Sequence, residues 1–186
     1  MSSPQRYDPD RHHRRSIRLK GYDYAQPGAY FVTVCAQNRE CLFGDIVDAN
    51  ARLNSLGSII QACWEDLPHH YPHVQLDTFV VMPNHVHGVV MIMNEANVGT
   101  GFKPAPTTPA GRRYGIPEIV RAFKTFSSRR INESRCTPAV PVWQRNYFEH
   151  VIRSETDLHQ IREYIATNPA RWAEDEENPA RHEASP

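Results

Sequence analysis

Apolar positions recur along the chain with two periods, and the switches between them mark the elements. Residues 28–38, GAYFVTVCAQN, are rich in β-branched and aromatic side chains behind a Pro-Gly turn, which predicts a strand. From Leu53 the period changes: Leu53, Leu56, Ile59, Ile60, Cys63, Trp64 and Leu67 follow helical spacing, and Pro68 ends the run. VQLDTFVVM (74–82) and HVHGVVMIM (85–93) return to strand character, and the two residues between them, Pro83 and Asn84, predict a tight antiparallel hairpin. Residues 94–115 are rich in Gly, Pro, Thr and Ala, show neither period and predict a loop. Ile116, Ile119, Val120, Phe123, Phe126 and Ile131 then share one helical face, with Pro117 near the first turn. A short extended piece is expected within 142–153. The last helix starts at Ser154, whose hydroxyl can cap it, with Asp157 at the capping-box offset. It ends at Asn168, because Pro169 disfavours helical backbone before it.

Strand, helix, strand, strand, helix, strand, helix is an α+β order. It predicts a ferredoxin-like (RRM-like) antiparallel sheet with helices on one face, plus one extra C-terminal helix. A chain of 186 residues is expected to form one domain with tails. We read a basic N-terminal arm over 1–20, a domain over 21–172 that contains the 94–115 loop, and an acidic tail over 173–186 without packed structure.

Composition changes this picture only through its distribution. The formal charge is zero, yet residues 103–135 carry eight basic side chains against two acidic ones, while residues 172–186 carry five acidic against one basic. A neutral chain can therefore present a basic face. Four cysteines without a CxxC pair predict reduced thiols, as in a cytoplasmic protein. No stretch approaches the roughly 18 apolar residues of a membrane helix, and the charged start has no apolar core of a secretory signal.

The candidate chemistry lies in the second strand of the hairpin. Residues two apart in a strand point to one face, about 6.5–7 Å apart, so His85 and His87 can converge on one divalent metal ion. The bland alternative is a pair of half-exposed strand side chains. Two ligands do not make a site. His69, His70 and His73 fall in a Pro-containing stretch that predicts a solvated loop, whereas Tyr164 and Asn168 stack on one face of the last helix. An amide oxygen is a reasonable ligand for Mg²⁺ or Mn²⁺, and a phenol one turn away can reach a phosphate held by that metal. Tyr147 is a competing phenol, but Val151, not a polar ligand, stands four residues after it.

The block MPNHVH, followed by WQRNYFEHVIR and REYIATNPARW, resembles the REP-associated tyrosine transposases, a branch of the single-tyrosine HUH (His-hydrophobe-His) nucleases. The resemblance runs from residue 16 to about Trp172. It implies a metal held by His85, His87 and Asn168, with Tyr164 as the nucleophile. Insertion-sequence transposases carry glutamine at the third ligand position, and asparagine stands there in this chain. The implied activity is metal-dependent cleavage and transfer of single-stranded DNA bearing hairpins or repetitive extragenic palindromes, through a 5′-phosphotyrosine. It leaves monomer and homodimer open. His150 and Arg153 match the family's EHxIR run and become candidate neighbours of the site.

For the nucleic acid, Arg121, Lys124 and Arg129 on the helix after Pro117 suit phosphate contacts, as do Arg14, Arg15 and Arg18 of the arm and Arg145 beside Trp143. Two other classes remain. A histidine-based nucleotide hydrolase would want a third alternating histidine, where Val89 stands. A non-catalytic ferredoxin-like nucleic-acid-binding protein, or decayed transposase, would carry the histidines incidentally.

Overall fold

The computed structural model describes residues 19, 21–94 and 114–183. Four strands form the main sheet: β1 (Gly28–Cys35), β4 (Val74–Val81), β5 (His85–Ile92) and β6 (Phe148–Ile152), in the order β4-β5-β1-β6. Every neighbouring pair is antiparallel. With α1 (Ser55–Glu65) and α3 (Ile116–Arg135) as the crossovers, this is the expected ferredoxin-like plan.

The strand period of two sorts the side chains. Tyr30, Val32 and Val34 of β1 with Val86, Val90 and Ile92 of β5 join the larger core, together with Ile60, Cys63 and Trp64 of α1 and Ile119, Val120 and Phe123 of α3. The alternate residues Phe31 and Val89 pack on the other face with Leu158 and Ile165 of α4 (Glu155–Thr167). α4 thus lies across the sheet from α1 and α3. Gly88 marks the tightest approach on the first face: a Cβ there would come within 2.4 Å of the Trp64 ring.

Several elements depart from the periodicity reading. Leu53 does not open the first helix. It ends β3 (Asn50–Leu53), which pairs with β2 (Gly44–Val47) in a separate two-stranded sheet. Asn54 is the actual cap, its side chain accepting from Leu56 and Gly57 backbone N–H groups at 2.9 and 3.0 Å. Pro68 does not end helical structure either, since it sits in the first turn of α2 (Leu67–His70), where its missing N–H costs no helical bond. β4 carries a register shift between Leu76 and Phe79. That bulge lets two residues three apart both pack against the larger core, and Asp77 and Thr78 fall within it.

The acidic segment differs most from expectation. Pro169–Glu174 forms a 3₁₀ helix and Pro179–Glu183 forms α5, and Asn178 is buried between them. Its amide donates to the Trp172 carbonyl at 2.9 Å and its side-chain oxygen accepts from Ala180 N–H. Polar caps, which composition does not register, supply the order. Residues 1–18, most of the expected arm, and 95–113, most of the expected loop, lie outside the described residues. Among the described residues no helix is long and apolar enough to cross a membrane, and all four cysteines are free.

Candidate active site

β5 brings His85 and His87 to the face that α4 covers, and both are buried. Their second-row partners decide what the rings can do. Asn84 donates through Nδ2 to the Arg39 and Glu177 carbonyls at 2.9 and 2.7 Å. This fixes its Oδ1 as the acceptor that faces His85 Nδ1 at 2.9 Å. His85 therefore carries its proton on Nδ1, and its Nε2 presents a lone pair. Thr33 stands opposite His87 in the β1–β5 register, and its hydroxyl lies 2.8 Å from His87 Nδ1. A hydroxyl can donate or accept, so it accommodates either tautomer of His87. The two Nε2 atoms lie 2.9 Å apart, converging on one point. Burial lowers both imidazoles to about 3, which leaves them neutral, the form that ligates metals.

α4 is positioned by its cap, its apolar face and one ion pair. Ser154 Oγ accepts from Asp157 N–H at 3.1 Å, as the capping offset predicts. Asp157 itself reaches past Ser154, accepting from Arg153 N–H at 3.2 Å and from His150 Nε2 at 3.0 Å. Leu158, Ile161 and Ile165 pack on Phe31, Val80, Val89 and Ile152. Arg162 donates to both carboxylate oxygens of Asp77 in the bulge, at 2.8 and 2.6 Å, and this pair draws the Asp77 carboxyl down to about 2. The outcome is a Tyr164 phenol oxygen 3.4 Å from His87 Nε2. The phenol pKa is raised by burial and by the Asp175 charge, while a hydrogen bond from the Asn168 side chain works the other way.

His85, His87, Tyr164 and Asn168 are thus brought together from positions up to 83 residues apart in the chain. His87, Tyr164 and Asn168 line an open pocket of about 560 Å³, with Phe31, Thr33 and Phe148 among its walls. Asn168 is 3% exposed, and its Oδ1 has no hydrogen-bond partner. Sequence reasoning missed two residues here. From the sequence, Asn84 predicts only a hairpin turn. Asp175, from the acidic segment, has a carboxylate oxygen 3.8 Å from His85 Nε2, and it forms with His85 and His87 a group whose donor atoms all lie within 4.8 Å of one another. The signal for Asn84 is its place directly before the histidine pair. For Asp175 the chain offers only one acid among four in a row.

Other candidates lie elsewhere. His150 and Arg153 are engaged with Asp157 at the start of α4 and do not line the pocket. Arg121, Lys124 and Arg145 line a different groove, between α3 and residues 139–147, and Tyr147 lines it too. Lys124 Nζ is committed to backbone carbonyls of Gln144, Arg145 and Asn146, so it shapes that groove. Arg129 pairs with Glu133 on its own helix at 2.9 Å. Arg14, Arg15 and Arg18 lie outside the described residues.

With this geometry in hand, similarity to known proteins carries weight. No family model matches the chain. A REP-associated tyrosine transposase, solved bound to a REP hairpin, shares the fold with a TM-score of 0.54, over 92% of this chain and 74% of that one at 19% identity. A Haemophilus influenzae protein described as "Putative REP-associated tyrosine transposase" is 24% identical over 149 residues, 80% of this chain and 74% of the relative. The chain thus shares the fold of a tyrosine transposase and is similar in sequence to a relative described as one. The chain belongs to one family with an uncharacterised Haemophilus influenzae protein, 42% identical over 178 residues that span 92% of this chain and 96% of the relative.

Proposed function

We propose that this protein is a metal-dependent endonuclease and strand transferase for single-stranded DNA, with Tyr164 as its nucleophile. The observation that carries this reading is the 3.4 Å separation between the Tyr164 phenol oxygen and His87 Nε2, beside two imidazole nitrogens only 2.9 Å apart. A covalent nucleophile and a pair of metal ligands then serve one phosphate.

The donor set fits a divalent ion. His85 and His87 offer neutral nitrogens, and the partnerless Oδ1 of buried Asn168 offers an oxygen. A bound Mg²⁺ or Mn²⁺ would supply charge stabilisation at the non-bridging oxygens of the scissile phosphate. The remaining work falls to the chain. α4 and the Arg162–Asp77 pair hold the phenol at the mouth of the pocket, where the phosphate enters. Tyr164 Oη attacks phosphorus, the P–O3′ bond breaks, and the departing oxygen takes a proton to become a 3′-hydroxyl. The phenol proton passes to solvent, because Tyr164 is 42% exposed. The Asn168 side chain donates to the phenol oxygen as its charge develops. The product is a 5′-phosphotyrosine that conserves the phosphodiester for rejoining by a 3′-hydroxyl.

The substrate we infer is DNA with hairpin or palindromic repeat elements, in line with the hairpin bound by the structural relative. Arg121 and Arg145 offer phosphate contacts in the groove along α3, and the exposed Phe148 ring at the pocket rim offers a face for an unpaired base. Such a substrate places the protein's work in the cytoplasm. All the reacting side chains come from one chain.

The test is incubation of the full chain with single-stranded hairpin DNA and Mg²⁺ or Mn²⁺, followed by a denaturing gel for a covalent adduct. The adduct is expected from the wild type. Tyr164→Phe and His85→Ala are expected to lower it at least about a thousandfold, with DNA binding retained in Tyr164→Phe. Cleavage that survives Tyr164→Phe would overturn the assignment.

A further inference from the structure

The acidic segment after α4 reaches into the pocket, and it does so through fastened contacts. Asp175 N–H donates to the Trp172 carbonyl at 3.2 Å, which closes the 3₁₀ turn. Its Oδ1 accepts from Glu177 N–H at 2.7 Å. Two residues on, the Glu177 carbonyl accepts from Asn84 Nδ2 at 2.7 Å, and the Glu177 carboxylate pairs with Arg39 at 2.7 Å. Asn84 is the residue that also orients His85. One amide thereby sets both the histidine and the segment that faces it.

These contacts leave Asp175 with one oxygen oriented by backbone and the other, Oδ2, 3.8 Å from His85 Nε2. Its side chain is only 7% exposed. A carboxylate withdrawn from water beside two neutral imidazoles is costly unless a positive charge offsets it. A second and independent feature points the same way. Asn168, buried in the same pocket wall, carries an Oδ1 with no partner. Two ring nitrogens, a carboxylate oxygen held by its own outer contact and an orphaned amide oxygen form a mixed N/O donor set, with the second-row hydrogen bonds that orient ligands in metal sites.

We propose that Asp175 is a ligand of the divalent ion held by His85 and His87, so that the ion also fastens residues 173–178 to the sheet. The proposal rests on the reading of the two histidines as ligands and adds an anionic ligand that the resemblance does not imply. With Asp175 bound, a divalent ion between neutral imidazoles keeps one positive charge for a phosphate instead of two.

Calorimetric titration of the full chain with Mn²⁺ tests this, together with amide hydrogen exchange over 173–178 with and without the ion. Asp175→Ala is expected to weaken Mn²⁺ binding at least roughly tenfold. Mn²⁺ is expected to slow exchange over 173–178 in the wild type and leave it unchanged in Asp175→Ala. Asp175→Asn, of equal size, is judged by the same criterion where the alanine variant does not fold. If Asp175→Ala binds within about twofold of the wild type while His87→Ala loses binding, Asp175 is not a ligand and the histidine reading stands. If the wild type binds no Mn²⁺, or His87→Ala binds as the wild type does, both fail.

Discussion

A hydroxyl opposite a histidine illustrates how much of this site depends on atoms that no motif contains. Thr33 Oγ1 is 2.8 Å from His87 Nδ1. For His87 Nε2 to offer a lone pair, Nδ1 must hold the proton and donate it to Thr33. Thr33→Val keeps the shape of the side chain and removes that acceptor, leaving a buried N–H without a partner whenever the metal-binding tautomer forms. We expect Mn²⁺ affinity to fall by about ten- to a hundredfold, measured by calorimetry, while the circular dichroism spectrum of the metal-free protein stays unchanged. His85 has a stiffer arrangement. The two carbonyls that bind Asn84 Nδ2 leave its amide no freedom to flip, so the His85 tautomer is set before any ion arrives.

At the scale of the element, the question is what holds Tyr164, the proposed nucleophile, on a helix against a sheet. α4 is amphipathic but short on buried residues, with only Leu158 and Ile165 fully covered. A two-pronged ion pair, Arg162 with Asp77, ties it to β4 two residues before Tyr164. Asp77 reaches it from a β-bulge, the irregularity that also turns Leu76 and Phe79 to one core. The Asp77 carboxyl is drawn to about 2 by Arg162, below the roughly 3.9 of an unfolded chain. The folded state therefore binds this proton less readily. The pair stabilises the fold above pH ~4, and that contribution is lost as pH falls toward 2. Asp77→Asn is expected to be less stable than the wild type at neutral pH, with the gap closing between pH ~4 and ~2 in urea titrations. Because the phenol shifts with its helix, adduct formation should fall roughly ten- to a hundredfold. Equal stability of the two proteins at pH 7 would show that the pair does not hold α4.

Over the whole molecule, the two ends of the charge distribution lie in different places. Arg121 and Arg145 line the groove along α3, while Glu174, Asp175, Glu176 and Glu177 border the pocket of Tyr164. Under the proposed function, affinity for DNA and chemistry on DNA are therefore separable. Arg121→Ala or Arg145→Ala should each lower the salt slope of hairpin binding by about 0.7–1, read from affinity against salt concentration. In Tyr164→Phe the slope should stay as in the wild type. A slope unchanged by both arginine variants would remove the groove from the DNA path.

The order of elements was legible because it follows from local periodicity. The strand alternation of 85–92 placed His85 and His87 on one face, and the helical spacing of 155–167 placed Tyr164 and Asn168 on another, with no tertiary information needed. Where elements began was less legible. Leu53 satisfies both a strand and a helix pattern, and the choice between them was made by its partner Gly44, nine residues away. Asp175 marks the limit of the sequence reading. Its neighbours Glu174, Glu176 and Glu177 carry the same charge, and only the turn after Asn168 and the hook of Glu177 on Asn84 select it. By itself, the sequence determined the order of the main-sheet strands and their flanking helices and the shared face of the two histidines, since these depend on contacts within a few residues, and it carried the family resemblance in its motifs. Only the tertiary structure decided the tautomers, the bulge-borne anchor and the acidic side chain in the pocket, because hydrogen bonds between residues 45 to 93 apart leave no period in the chain.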